Sequence, residues 1–558
     1  MRLCLLLLLA TVFCGGMLAA RRTYTNPQNP RAAQEGAKPQ KIQPQIPSAD
    51  RFQKNKVFLE NANSLVADER ISTDYMILRG DVQFRRGNMF MYCDSAYFYE
   101  GSSSLDAFGN VKMTQGDTLF VYADILHYYG EVELAELRYN VRMERPDMVL
   151  ITDSLDYDIR SNVGYYFDGG TIVDKKNNTE LSSQFGRYEL RSKQAEFSTD
   201  VRLLSDKYEM STHLLNYNTG THMADIVTET YIVSDSNVIV TSRGRYNTSA
   251  DEARLFNRSV ITAKDGRVLT GDTLYYNRAK GYGEAFGKIV VTDPVHKVIL
   301  DGDYGYHNEN THESFATKRA RAREFSQKDT LYLHADTLRT RVDADSLRHL
   351  EAISGVRFYR VDLQGVCDTM TVCQGDSILR MHKDAMVWSG DRQIWGNEIN
   401  VHLNDSTADW ATLPNNGFAI EHLGEEYYNQ LEGKKMKAYF EDKELRKLEV
   451  SGNVKTIFYP MEKDSTYNKL VTAESSFLTI NLKPKQEVEK VIMWPEVVGK
   501  VTPLFLVKRS QLYLQGFNWE EGRRPQHPDD IFDTSGIHIT QSSMEDEESG
   551  TNTLTISP

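Results

Sequence analysis

Leu137-Arg138-Tyr139-Asn140-Val141-Arg142-Met143-Glu144 alternates without a break, apolar at odd positions and polar at even ones. A period of two sends alternate side chains to opposite faces of a strand, so this segment has one buried face and one wet face. A helix would scatter the same charges around its circumference. Leu448, Val450, Gly452, Val454 and Thr456 follow the same rule, with Glu449, Ser451, Asn453 and Lys455 opposite.

The strand is one of many. Gly80-Asp81-Val82-Gln83-Phe84 returns as Gly109-Asn110-Val111-Lys112-Met113 and as Tyr139-Asn140-Val141-Arg142-Met143, so the repeated valine recurs after 29 and then 30 residues. Echoes follow at Thr199-Asp200-Val201, Arg258-Ser259-Val260, Gly287-Lys288-Ile289, Ser354-Gly355-Val356 and Gly452-Asn453-Val454. A second phrase is interleaved: Gly116-Asp117-Thr118-Leu119, Asp153-Ser154-Leu155, Gly271-Asp272-Thr273-Leu274, Asp329-Thr330-Leu331, Asp336-Thr337-Leu338 and Gly375-Asp376-Ser377-Ile378. Two phrases per unit of this length describe one strand–turn–strand module stacked many times. In this reading the Gly-x-Val phrase is a turn entering a strand, and the Asp-Thr-Leu phrase is a second turn whose aspartate caps backbone N–H groups.

The fold class that follows is all-β, an elongated stack of antiparallel strands. Its expected divisions are residues 52–190, 191–325 and 326–517, with a flexible leader at 21–51 and a disordered acidic tail at 518–558. Residues 1–20 have the layout of a cleaved signal peptide: Arg2, an apolar run from Leu3 to Phe13, then small residues before Arg21. A net charge of −13 argues against nucleic acid as a partner, because phosphate binding needs a basic face. Cys93, Cys367 and Cys373 are too few and too far apart for a disulfide framework or a zinc site, although Cys367 and Cys373 could pair.

No constellation points to catalysis. Asp117, Asp153, Asp272, Asp329 and Asp376 could form a carboxylate ladder for metal or glycoside chemistry, but each precedes Thr, Ser or Leu-rich strand starts where turn-capping is the simpler role. The 13 histidines are scattered, and no nucleophile elbow, phosphate loop or dinucleotide fingerprint is present. The expectation is a protein that is not an enzyme and carries no metal and no cofactor. The apolar faces matter more. Val82, Phe84, Val111, Met113, Leu137, Tyr139, Val141, Met143 and Val260 read as one inward strip. Such a strip either packs into a dry core or lines a groove for acyl chains, and periodicity does not separate the two.

Leu78-Arg79-Gly80-Asp81-Val82, Met91-Tyr92-Cys93-Asp94-Ser95-Ala96-Tyr97 and Ala107-Phe108-Gly109-Asn110-Val111 carry a further signal, continued by Gln115-Gly116-Asp117-Thr118-Leu119, Leu155-Asp156-Tyr157 and Gly164-Tyr165-Tyr166. Together they resemble the OstA-like, LptA-type family of lipopolysaccharide-transport (organic solvent tolerance) proteins, with looser matches to about residue 515. The resemblance implies a β-jellyroll folded into a V whose apolar interior shields lipid A acyl chains. It implies a periplasmic protein that can associate with the outer membrane, whose partners are lipopolysaccharide, the inner-membrane transporter and the outer-membrane translocon. Those protein partners, and further copies of the chain end to end, would dock by edge-strand addition. The competing expectation is an exported β-solenoid scaffold or adhesin that binds no lipid.

Overall fold

The computed structural model describes residues 56–67 and 74–533, apart from 177, 235–236, 405–406, 442–443, 463–465 and 485–487. The expected signal peptide, the leader and the last part of the tail lie outside the described residues. Nearly all the rest is antiparallel strand, with 3-10 turns between Leu504 and Phe532. The chain divides into two compact units: an N-terminal one that runs to Ser326 and takes in Thr337–Leu350, and a C-terminal one made of Gln327–Asp336 and the residues from Glu351 onward.

In the N-terminal unit, Met76–Arg86, Met89–Tyr99, Ser104–Gln115, Leu119–Tyr129, Leu134–Glu144 and Met148–Asp158 pair in chain order, each antiparallel to the last. Each is a rung that bends once near its middle and so gives one arm to each of two facing layers. The bend is visible in the ring contact of Phe84 and Phe98, whose centroids lie 5.2 Å apart although the residues pair with Met91 and Met76 respectively. Later rungs are broken at the bend. Val163–Tyr166 and Gly170–Asp174 are the two arms of one, and Thr179–Ser183 with Phe185–Glu189 form the next.

The bend explains the repeat. Two successive residues take left-handed backbone angles at Gly80-Asp81, Gly109-Asn110, Tyr139-Asn140, Thr199-Asp200, Asn257-Arg258, Gly287-Lys288 and Lys318-Arg319, and again at Ser354-Gly355, Lys383-Asp384 and Gly452-Asn453 in the C-terminal unit. The Gly-x-Val phrase is therefore not a turn leading into a strand, as its sequence suggests. It is a two-residue bulge inside one long strand, which turns the chain from one arm to the other. Because the bulge consumes two residues, the inward parity survives it: Leu137 and Val141 are both fully buried.

The aspartates complete the corner. Asp94, Asp124, Asp153, Asp272 and Asp303 sit on the rungs between bulges. Asp94 and Asp124 accept from the side-chain amides of Asn110 and Asn140 at 2.8 and 2.6 Å, and Asp153 and Asp303 accept the backbone N–H groups of Asn140 and Lys288 at 3.2 and 3.3 Å. Of the aspartates expected to cap, Asp153 caps the neighbouring rung's corner and Asp376 accepts the Ile378 N–H of its own turn at 3.0 Å. A Cβ on Gly109 or Gly287 would come within 2.5 or 2.6 Å of the carboxylate of Asp94 or Asp272. Glycine stands there because the angle is left-handed and the neighbour's acid fills the space. Elsewhere hydroxyls serve: Thr212 with Thr230 at 2.9 Å, and Ser259 with Thr241 at 2.7 Å.

The C-terminal unit repeats the plan with Leu363–Cys373, Ile378–Ser389, Arg392–Asn404, Glu444–Phe458 and Lys469–Leu482 among its rungs. It closes on Val488–Trp494 and Val498–Pro503, both paired to Lys469–Leu482. Residues 518–533, expected to begin a disordered tail, are ordered and lie against this unit's strands. Among the described residues Cys93, Cys367 and Cys373 are free, with Cys93 and Cys367 buried.

Candidate functional site

Most of the inward strip lies where its parity places it. Val82, Phe84, Val111, Met113, Leu137 and Val141 are at most 1% exposed, and Met143 is 5% exposed. Two members do not belong. Tyr139 is 60% exposed, because it is the first residue of a left-handed corner and the bulge turns it outward. Val260 is half-buried while its neighbour Ile261 is the buried residue, so that strand's inward set is offset by one from the sequence reading. A one-residue change in register exchanges the two faces.

Along the first rungs the arms are shut. Phe84 meets Phe98 across the interior, and at the arm tips Arg86 pairs with Glu133 at 2.8 Å, with side chains only 8% and 3% exposed. The Arg86 guanidinium also lies 6.0 Å from the ring centroid of Tyr128. Burial pushes the Tyr128 hydroxyl up to about 12, and Arg86 partly opposes it. Burial likewise raises the Cys93 thiol to about 12, which leaves it a protonated, inert core residue. Here the strip is a packed interior.

Beyond Met143 the arms part. Between their tips lies a cavity of about 230 Å³. Its apolar wall comes from Met148, Ile172, Leu181, Phe197, Leu203 and Tyr217, which alternate along strands of both arms. Its rim comes from the hairpin turns that join successive rungs: Arg145, Lys176, Lys193 and His222, with Asp147 and Asp174 among them. Two tyrosines brace the wall, Tyr188 to Thr219 and Tyr217 to Thr248, each at 3.1 Å between hydroxyls. Burial raises the Tyr217 hydroxyl, so it stays a neutral hydrogen-bonding group.

An apolar slot whose rim carries three cations, Arg145, Lys176 and Lys193, against two acids suits an amphiphile with a chain and an anionic head. Nothing in the arrangement pairs a nucleophile with a base. None of the residues of the sequence strip lines this cavity. The missing signal was in the hairpin turns that carry Arg145, Lys176 and Lys193.

Residues 54–213 match the family model described as OstA-like protein. That stretch is similar to an OstA-like domain. No curated protein matches the chain. The OstA-like domain points to a protein of lipopolysaccharide or lipid transport, a class that is in general not enzymatic. It takes in the closed rungs and the cavity lining from Arg145 to Leu203, and ends within the strand Tyr208–Asn218 that supplies Tyr217.

Proposed function

We propose that the protein binds lipopolysaccharide in the periplasm and shields its acyl chains on the way to the outer membrane, acting as a non-enzymatic carrier or bridge. The observation that carries this reading is the cavity lined mostly by the OstA-like stretch, with an apolar wall and with Arg145, Lys176 and Lys193 outnumbering Asp147 and Asp174 at its lip. Its volume lies below the ~300–1,000 Å³ of pockets that engulf drug-sized ligands. The slot therefore takes the end of one chain, and a whole lipid requires the arms to part further. Withdrawing about five methylenes from water contributes about 4 kcal/mol. The rim cations would face phosphate.

Docking surfaces support the bridging part of the proposal. Among the described residues, the first strands of the N-terminal unit are Phe58–Asn61 and Ser64–Val66, paired to Met76–Arg86, with Phe58, Leu65 and Val66 exposed. In the C-terminal unit Val488, Val491, Trp494, Val498 and Val501 are exposed on the last strands. Apolar edge strands are sites for strand addition by the transporter, the translocon or another copy of the chain.

The test is photo-crosslinking in cells, with a reactive residue at Ile172, Leu203 or Tyr217. Lipopolysaccharide adducts at these positions, and none at the outward Lys112, are expected. A folded, exported protein that yields no adducts at the cavity would refute the proposal. The scaffold reading would then take over, because the closed interior from Leu78 to Met143 is what a load-free β-stack needs.

A further inference from the structure

The C-terminal unit treats the corresponding buried face differently. Three buried glutamines, Gln364, Gln393 and Gln430, line it at 3%, 0% and 2% exposure, and among the described residues all buried glutamines lie in this unit. Each is engaged by the segment Leu504–Asp533. Gln430 donates to the Leu512 carbonyl and accepts from the Leu514 N–H, both at 2.8 Å. Gln393 does the same to the Asn518 carbonyl and the Glu520 N–H, at 2.7 and 2.9 Å. Gln364 accepts from Arg524 at 2.9 Å, and Arg357 donates to the Arg523 carbonyl at 3.0 Å.

The segment thus crosses the rungs from one end of the unit to the other. Leu512 is buried with Ile457, Tyr459 and Leu470, and at the far end the Phe532 ring lies 4.8 Å from His334. Between them Trp519 sits 5.7 Å from both His422 and Tyr428. Burial lowers the Arg357 guanidinium, while Asp533 and Asp530 of the segment support its charge.

A primary amide that both donates to and accepts from one stretch of backbone replaces the partners a neighbouring strand would supply. An acyl chain could satisfy neither atom, and a buried glutamine facing hydrocarbon would cost more than the contact returns. We infer that Leu504–Asp533 is a built-in occupant of this face, a tethered peptide that seals the C-terminal unit against apolar ligands. Acyl binding is thereby confined to the N-terminal cavity of the proposed function.

The experiment uses the full chain and two variants, Gln393→Leu with Gln430→Leu, and Leu512→Asp with Leu514→Asp. The second leaves the wall of the unit untouched. Hydrogen exchange over 504–533 reports release, and N-phenyl-1-naphthylamine reports apolar access. All five tryptophans, Trp388, Trp395, Trp410, Trp494 and Trp519, belong to this unit, so a gain in energy transfer over the unmodified chain reports probe bound close to this unit's tryptophans. In both variants, exchange of the segment should rise by about tenfold or more while the rung amides stay protected, and energy transfer should appear. Release without energy transfer would overturn the seal, as would unchanged exchange in both variants. The probe is not lipopolysaccharide, so either failure is distinct from a failure of the crosslinking test.

Discussion

The two units bend their rungs with the same corner yet fill their interiors differently. In the N-terminal unit the arms touch through Phe84 and Phe98, are clamped by Arg86 and Glu133, and then part into a cavity whose wall holds Met, Ile, Leu, Phe and Tyr. In the C-terminal unit the buried face carries glutamines, and the chain's own backbone lies on them. The difference teaches how to recognise an occupant from the wall. A face destined for peptide must offer donors and acceptors, since buried backbone groups go unpaired only at a cost. A face destined for hydrocarbon must withhold them.

The strongest way to break this contrast is to unclamp the closed rungs. Glu133→Ala leaves Arg86 buried beside Tyr128 without its acid, a change of the kind that costs about 3–5 kcal/mol. Hydrogen exchange should show the tips of Met76–Arg86 and Leu119–Tyr129 opening while the C-terminal unit stays protected. If the clamp holds the arms shut, the same variant should gain photo-adducts at Phe84, where the intact protein gives none. Loss of protection without new adducts would mean that the interior collapses rather than opens.

A smaller effect tests the corner both units share. Gly109→Ala puts a methyl 2.5 Å from the Asp94 carboxylate at a left-handed angle, and should cost about 1–3 kcal/mol in urea unfolding of the N-terminal unit. Adding Asp94→Ala removes the collision but not the angle, so the double variant should recover part of the loss. Gly452→Ala, whose nearest neighbour is the Lys434 Cβ at 3.0 Å rather than a carboxylate oxygen at 2.5 Å, should cost less. Equal losses at both sites would show that backbone angle alone sets the corner.

These corners mark what the sequence could and could not say. Alternation around Val111 and Val141 gave the inward strip, because period two is a local property of the strand. The 30-residue repeat was legible too, but its meaning was not. A Gly-Asn pair is compatible with a hairpin turn or with a bulge, and only the pairing of both flanking halves to the same neighbours decides between them. Tyr139 was misread for that reason, being apolar at the right parity but placed on the corner itself. The cavity was invisible because its walls come from strands that are far apart in sequence, Met148 and Tyr217 among them. The glutamines were passed over because their partners lie far along the chain: Gln393 pairs with Asn518 and Glu520, residues that composition assigned to a tail.

The smallest effect is the one that bears most directly on the cavity. Reversing Arg145, Lys176 and Lys193 to glutamate removes the rim cations without touching the apolar wall. Exposed pairings of this kind are worth about 0.2–1 kcal/mol each, so the triple variant should weaken lipid A binding by roughly tenfold. The deficit should shrink as salt rises, because screening already weakens such contacts in the unmodified protein. The same reversal at Lys508 and Arg509, on the segment that covers the other unit, should leave lipid A affinity unchanged. A ligand without phosphate should bind the triple variant as it binds the parent. If it also weakens tenfold, the rim shapes the cavity rather than reading the head group, and the cationic lip ceases to distinguish a lipopolysaccharide site from an ordinary apolar slot.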